Sequence, residues 1–260
     1  MGAEQGGCDL RGNRHLIAVA LLWVALTALG EVVVLNATLQ PPVLSDRGEE
    51  IDAAFQFLMV MGMPVLALVV AVLGYSVLRF RHRGAGDAAP PAAEGPPIYG
   101  RGRVPIAWFG VTSALTLAVM IYPGLTGIPR VFAPFAEPDL VVEVEAFQWA
   151  WRVRYPAYGV ESLEELVLPV DQAITFQITS RDVLHSFWVP AFRMKTDAVP
   201  GLTTTVHLRA TTIGSFETDT GLRVQCAELC GVAHGTMVMP VRVVSAEEFA
   251  AWLADRDGTP

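Results

Sequence analysis

The sequence predicts transmembrane α-helices followed by an all-β sandwich or barrel domain, and three observations carry the prediction. Of 260 residues, 52% are hydrophobic and 17% charged, against about 25% charged in an ordinary soluble domain. The apolar excess sits in three long runs before Pro123, and beyond Glu137 the pattern shortens to alternating runs. Mean hydropathy is +0.42. This composition excludes disorder and collagen-like sequence. With 18 Lys+Arg against 26 Asp+Glu the net charge is -8, which argues against a nucleic-acid partner, since that surface needs a basic patch.

The apolar stretches Leu16–Leu35, Ala53–Leu78 and Val104–Tyr122 place spans at 16–36, 53–80 and 104–123. At about 1.5 Å per residue each can cross a hydrocarbon core of roughly 30 Å, and a buried core helix rarely runs so long without a polar face. The first also has the look of a signal peptide, with Arg11 and Arg14 before it. No small-x-small cleavage site follows, however, and Cys8 precedes the run, unlike a lipoprotein cysteine. The favoured reading is a retained extra helix, a signal anchor left uncleaved, after a cytoplasmic tail at 1–15.

Arginines set the orientation. Arg79, Arg81, Arg83, Arg101 and Arg103 flank the connection between the second and third spans, whereas Arg47 stands alone among Asp46, Glu49, Glu50 and Asp52 in the preceding one. Positive charge marks the cytoplasmic side. Residues 81–103 are therefore an inner linker, rich in Gly, Ala and Pro from Gly84 to Pro97. Everything beyond Tyr122 lies outside a bacterial-type plasma membrane.

The outer domain is expected at 137–260. Val142, Val144 and Ala146 alternate with Glu143, Glu145 and Phe147, as do Ile174, Phe176 and Ile178 with Thr175, Gln177 and Thr179. Val206 with Leu208, and Val241 with Val243, continue the pattern between Gly and Pro punctuation, which reads as antiparallel strands. Ser245 and Glu248 form a capping box for a short last helix bearing Phe249, Trp252 and Leu253.

The chemistry is concentrated in Cys226-x3-Cys230-x3-His234-x2-Met237, with His185 upstream. A Cys226–Cys230 disulfide is reasonable outside a membrane but leaves both histidines and the methionine idle. A Cys2His2 zinc site is allowed by spacing but has no need of Met237. The third reading is copper: an upstream His followed by Cys-x3-His-x2-Met is the donor set of a blue-copper electron-transfer centre. Cys226 is one thiolate too many for a single such copper, and suits a two-copper centre with one His for each metal.

At these residues the chain resembles subunit II of the heme–copper cytochrome c oxidases, the subunit that carries the dinuclear CuA centre. The likeness runs from about Ala53 onward. It includes Cys226–Gly231 with the following His and Met, the Asp182–Pro190 and Lys195–Gly201 segments, and Gln148-Trp149-Ala150-Trp151. It implies a cupredoxin-like Greek-key domain in which Cys226 and Cys230 bridge two coppers and His185 and His234 bind one each. Met237 is then the weak ligand on one copper and the Glu228 carbonyl on the other. The Glu228 side chain would help hold a magnesium or manganese ion shared with subunit I, consistent with the taste of hard cations for oxygen. Trp149 matches the tryptophan at which electrons arrive; Trp151 and Trp188 read as packing.

The resemblance further implies subunit I and other oxidase subunits as partners, membrane lipid around the spans, and cytochrome c or a small copper protein as electron donor. A basic cytochrome c could be steered by Glu161, Glu164, Glu165 and Asp182. The first span is extra relative to the family's two, and Pro105 stands about where the family often has a proton-path glutamate, so that role is not transferred. No Cys-x-x-Cys-His follows the copper motif, so no fused c-type heme is expected. His207, Met239, His15, His82 and Glu31 are assigned no role. Two alternatives stay open: the CuA subunit of a nitric oxide reductase of the same superfamily, and a membrane-anchored copper-binding or copper-delivery protein.

Overall fold

The computed structural model describes residues 9–37, 40–80 and 102–256; the predicted inner linker falls almost wholly outside them. The chain divides into two units. One takes the described parts of 1–39 and 55–121, the other those of 40–54 and 122–260.

The first unit is helical. Helix α1 spans Asp9–Asn36, α2 Asp46–Arg79 and α3 Arg103–Val119. Beyond α3 the Met120–Leu125 segment is kinked at Tyr122, whose φ of -134° and ψ of 125° are not helical, and it leads into α4, Thr126–Phe132, which belongs to the second unit. Three helices are long and apolar enough to cross a membrane, Arg14–Asn36, Asp46–Arg79 and Arg103–Phe132. The second and third therefore run past the predicted 53–80 and 104–123. Polar ties join α1 to α2: the Trp23 indole donates to the Pro64 carbonyl at 2.8 Å, and the His15 ring meets the Tyr75 hydroxyl at 2.7 Å. Gly30 lies so close to Met63 that a Cβ would stand 2.3 Å from its sulfur. On α3, Thr112 and Thr116 return their hydroxyls to carbonyls one turn back, which spares the surrounding apolar medium an unmet donor.

The second unit is a two-sheet domain. Its strands are β1 Leu140–Phe147, β2 Ala150–Tyr155, β3 Val160–Ser162, β4 Leu166–Pro169, β5 Ile174–Ser180, β6 His185–Val189, β7 Met194–Ala198, β8 Thr204–Leu208, β9 Gly214–Ser215, β10 Arg223–Cys226 and β11 Val238–Val244. One sheet has the order β3-β2-β1-β5-β8, the other β4-β11-β10-β6-β7 with β9 also on β11. The period-two residues face inward as their spacing requires: Val142, Val144, Ala146, Ile174, Phe176, Ile178, Val241 and Val243 are all buried.

Three details depart from the sequence reading. Strands β1 with β5, and β4 with β11, pair in parallel, because the chain crosses between sheets before returning. Strand β4 has no alternation; all four residues are buried, since helix α5, Ala246–Arg256, covers its outer side with Phe249 and Leu253. Ser245 does cap α5, accepting from the Glu248 N–H at 3.1 Å, but the Glu248 carboxylate goes to Arg242 at 2.7 Å and so does not return to complete the box.

Residues 40–54, which the sequence reading divides between a loop and the start of the 53–80 span, belong to this domain and include the first turns of α2. Leu44 N–H donates to the Ala191 carbonyl at 2.8 Å, and Thr211 N–H to the Leu44 carbonyl at 3.0 Å. The fully buried Ser45 donates to the Phe192 carbonyl at 2.9 Å, and Arg193 grips Asp52 at 2.7 Å.

Candidate metal centre

Antiparallel pairing of β6 with β10 sets Cys226 opposite Phe187 and so brings the last residue of β10 close to His185, the first of β6. Residues 227–237 then loop outward and return through a single 3-10 turn at His234–Thr236. The loop is closed by Cys226 N–H to the Met237 carbonyl at 3.1 Å and by Ala227 N–H to the Ser186 carbonyl at 2.9 Å. A hairpin-like closure over eleven residues makes side chains scattered along the motif converge.

The resulting donor cluster is compact. Cys226 Sγ lies 3.7 Å from Cys230 Sγ and 3.8 Å from His185 Nδ1. Cys230 Sγ lies 3.6 Å from His234 Nδ1 and 3.8 Å from Met237 Sδ. The Glu228 carbonyl oxygen is 3.2 Å from Cys226 Sγ. His185 and Met237 are fully buried and both cysteines nearly so. Burial pushes the Cys230 thiol up to about 11, with the neighbouring Cys226 sulfur adding to it. Metal binding must therefore release a proton from a thiol that holds it firmly.

These separations fit a metal. Two ligands about 2.3 Å from one ion at a tetrahedral angle lie about 3.8 Å apart, whereas bonded sulfurs are about 2.0 Å apart. Both cysteines are free thiols. Two thiols, two imidazoles and a thioether form a soft set that suits copper.

The surroundings fix the histidines and the loop. His185 Nε2 is 2.9 Å from Asp182 Oδ1, which leaves Nδ1 turned to the thiol. Desolvation raises the Asp182 carboxyl, but the Gln148 N–H, the His185 ring and the Val183 N–H outweigh it and hold it at about 2. Gln148 Nε2 donates to the Cys230 carbonyl at 2.7 Å, and the Trp149 indole N–H to the same oxygen at 3.2 Å. In the sequence Asp182 reads as a surface acid within the Asp182–Pro190 motif and Gln148 as part of another motif; the Asp-x-x-His spacing is the signal that links Asp182 to the ring.

Trp149 occupies the turn between β1 and β2 and is 38% exposed. Trp151 is 1% exposed and meets the His185 ring edge-on at 6.2 Å and Phe187 at 5.6 Å. The Glu228 side chain is exposed and outside the group of His185, Cys226 and Cys230 that satisfies metal-donor spacing among the described residues. His207 pairs with Thr175 and Phe135, and Met239 is buried on β11 opposite Val224; neither approaches the cluster.

Gly231 allows the close approach. Its φ is +123°, and a Cβ there would stand 3.0 Å from Gln148 Nε2 and 3.2 Å from the Trp149 ring. Gly231→Ala is expected to cost about 1–3 kcal/mol, read as a lowered melting temperature of the metal-free chain; an unchanged melt would show that the turn yields freely.

Known proteins share this framework. The family model for the periplasmic domain of cytochrome c oxidase subunit II matches residues 159–245. Cytochrome c oxidase subunit 2 of Thermostichus vulcanus is 40% identical over 72% of this chain, and the match spans 56% of that protein, little more than half its length. The probable cytochrome c oxidase subunit 2 of Rickettsia prowazekii is 31% identical over 85% of this chain and 72% of its own. The crystal structure of the periplasmic domain of subunit II of cytochrome oxidase from Bradyrhizobium japonicum is 32% identical, covering 46% of this chain and 94% of that one, with a TM-score of 0.43. A membrane-helical chain with an outward β-domain, this protein belongs to the cytochrome c oxidase subunit 2 family.

Proposed function

We propose that this chain is the electron-receiving subunit of a heme–copper cytochrome c oxidase, taking electrons from cytochrome c or a small copper protein and passing them to the heme of subunit I. The observation that carries the reading is the run of donors from His185 through Cys226 and Cys230 to His234 and Met237, with successive separations of 3.6 to 3.8 Å. Cys226 and Cys230 would bridge two coppers, His185 and His234 hold one each through Nδ1, and Met237 Sδ and the Glu228 carbonyl give the weak contacts. Bound copper supplies a one-electron redox couple.

The chain's own residues do the rest. Burial of His185, Met237 and both thiols keeps water away, which suits electron transfer over substrate chemistry and disfavours a delivery protein that must release its metal. Trp149 touches solvent on one side and the Cys230 carbonyl on the other, as an uptake residue must. The exposed Glu228 carboxylate is placed to offer oxygen to a magnesium or manganese ion whose other ligands come from subunit I. Oxygen reduction to water is assigned to subunit I. The experiment is an EPR and visible spectrum of the copper-loaded full chain: a mixed-valence two-copper signal supports the reading, and a single-copper or silent spectrum refutes it.

Donor steering by the acidic face is weaker than the sequence implied. Glu161 is paired with Arg152 and Arg154, Glu164 with Arg256, and Glu165 with Arg242 and Arg256. On the metal loop itself two apolar side chains stand out to solvent, Leu229 at 78% and Val232 at 93%. The donor association rate is therefore expected to fall less than about tenfold between 0.1 M and 1 M salt, although the Debye length shrinks from about 10 Å to about 3 Å. A steeper fall in stopped-flow rates would restore the acidic face as the guide.

A further inference from the structure

We propose that Asp182 is a positioning residue that ties the metal histidine and the electron-uptake tryptophan into one unit; this rests on the copper reading above. Its two carboxylate oxygens serve different elements. Oδ1 meets His185 Nε2 at 2.9 Å, and Oδ2 accepts the Gln148 backbone N–H at 2.7 Å. The first contact holds a hydrogen on Nε2, so that the Nδ1 lone pair is free on the side facing Cys226. The second anchors the turn between β1 and β2, and that turn sets the Gln148 amide and the Trp149 indole on the Cys230 carbonyl.

A closed path results: His185 to Asp182, Asp182 to Gln148, Gln148 and Trp149 to Cys230, and Cys230 Sγ to Cys226 Sγ and back to Nδ1 of His185. The same strap resists displacement at Gly231, where the loop has no Cβ to hold Gln148 and Trp149 away. Asp182 itself is fixed from a third direction by the Val183 N–H at 2.7 Å and approached by the Ser180 hydroxyl. A carboxylate held from three sides transmits the position of one partner to the other. Metal binding at His185 and Cys230 should then be felt at Trp149, and loosening of the Trp149 turn should be felt at the metal.

The asymmetry of an amide makes the test sharp. In Asp182→Asn one oxygen remains, and the NH2 group that replaces the other can only donate. Turned toward His185, that group favours the ring tautomer with hydrogen on Nδ1, where the metal must bind; turned toward Gln148, it abuts an N–H. Neither orientation keeps both contacts.

The full chain in detergent is labelled with 5-fluorotryptophan, Trp149 is assigned by its loss in Trp149→Phe, and cupric ion is titrated in. In the wild type, copper should bind and move the Trp149 resonance. In Asp182→Asn, copper affinity should fall about 10- to 100-fold, the usual cost of losing such an outer partner, and the metal-free Trp149 resonance should already be displaced. Gln148→Ala leaves the carboxylate on His185 and serves if Asp182→Asn does not fold. It also keeps the backbone N–H on Oδ2 and removes one of the turn's two ties to the Cys230 carbonyl, so it should lower copper affinity less than Asp182→Asn does, while the Trp149 response to copper shrinks. Wild-type copper binding with an unchanged affinity and Trp149 response in Asp182→Asn overturns the proposal alone, as does a loss of copper affinity of about 10- to 100-fold in Gln148→Ala, where both carboxylate contacts persist. Failure of the wild-type chain to bind copper overturns the metal reading and this proposal with it.

Discussion

Serine at Cys226 or Cys230 is expected to abolish the proposed two-copper centre while leaving the fold in place. Each sulfur faces three other donors: Cys226 the His185 ring, Cys230 Sγ and the Glu228 carbonyl, and Cys230 the His234 ring, Met237 and Cys226 Sγ. A hydroxyl is nearly the same size, so the buried pocket that both cysteines occupy does not collapse, and the stability change should stay within about 1–2 kcal/mol. What disappears is a soft, polarisable, anionic bridge that an alkoxide cannot replace near neutral pH. Copper per chain should fall from two to one or none by elemental analysis, and the mixed-valence EPR signal should vanish. Met237→Leu is the matching control: it removes one weak ligand, so two coppers should remain with a shifted potential. Undiminished electron transfer through a Cys226→Ser protein would show that no dinuclear centre operates.

Trp149→Gln should slow electron uptake by orders of magnitude with little change in the copper spectrum. The substitution is chosen with the hydrogen bond in mind, because a Gln amide can still donate to the Cys230 carbonyl that the indole N–H now reaches at 3.2 Å. The aromatic ring goes, but the tie to the loop can persist. Trp151, read from sequence as packing, is expected to behave differently. It is 1% exposed and edge-on to His185, so Trp151→Ala should disturb the copper spectrum itself and lower stability by about 3–5 kcal/mol. The split between the two variants, spectrum kept with uptake lost against spectrum changed, is read by stopped-flow mixing with reduced cytochrome c. Equal losses through misfolding in both would leave Trp149 as core packing.

The parts legible in the sequence were those with a single dominant cause. Spans follow from long apolar runs, and β1, β5 and β11 follow from alternation, because one face meets the core and the other does not. Where two causes compete, the sequence misleads. Strand β4 loses its alternation because α5 covers the second face. Residues 46–54 look like a polar loop by composition, yet their acids have assigned work: Asp46 accepts from the Arg209 N–H and Asp52 holds Arg193. The donor residues were readable because their chemistry is rare and their spacing tight. Asp182 was not, since a carboxylate that orients a ring looks, in one dimension, like any other surface acid.

The stitching of residues 44–52 to residues 190–211 also fixes a parity. Groups that hydrogen-bond directly, as Leu44 does to Ala191 and Thr211, and Asp52 to Arg193, must share one aqueous compartment. The polypeptide running from the first segment to the second must therefore cross the bilayer an even number of times, and the helices at Asp46–Arg79 and Arg103–Phe132 are each long and apolar enough to cross once. This places 40–54 beside the copper-motif domain on topological grounds, with no arginine counted. It also orders biogenesis: the early segment reaches that compartment first and must wait there, unfinished, until two more helices have been threaded and the last hundred residues delivered to close over it.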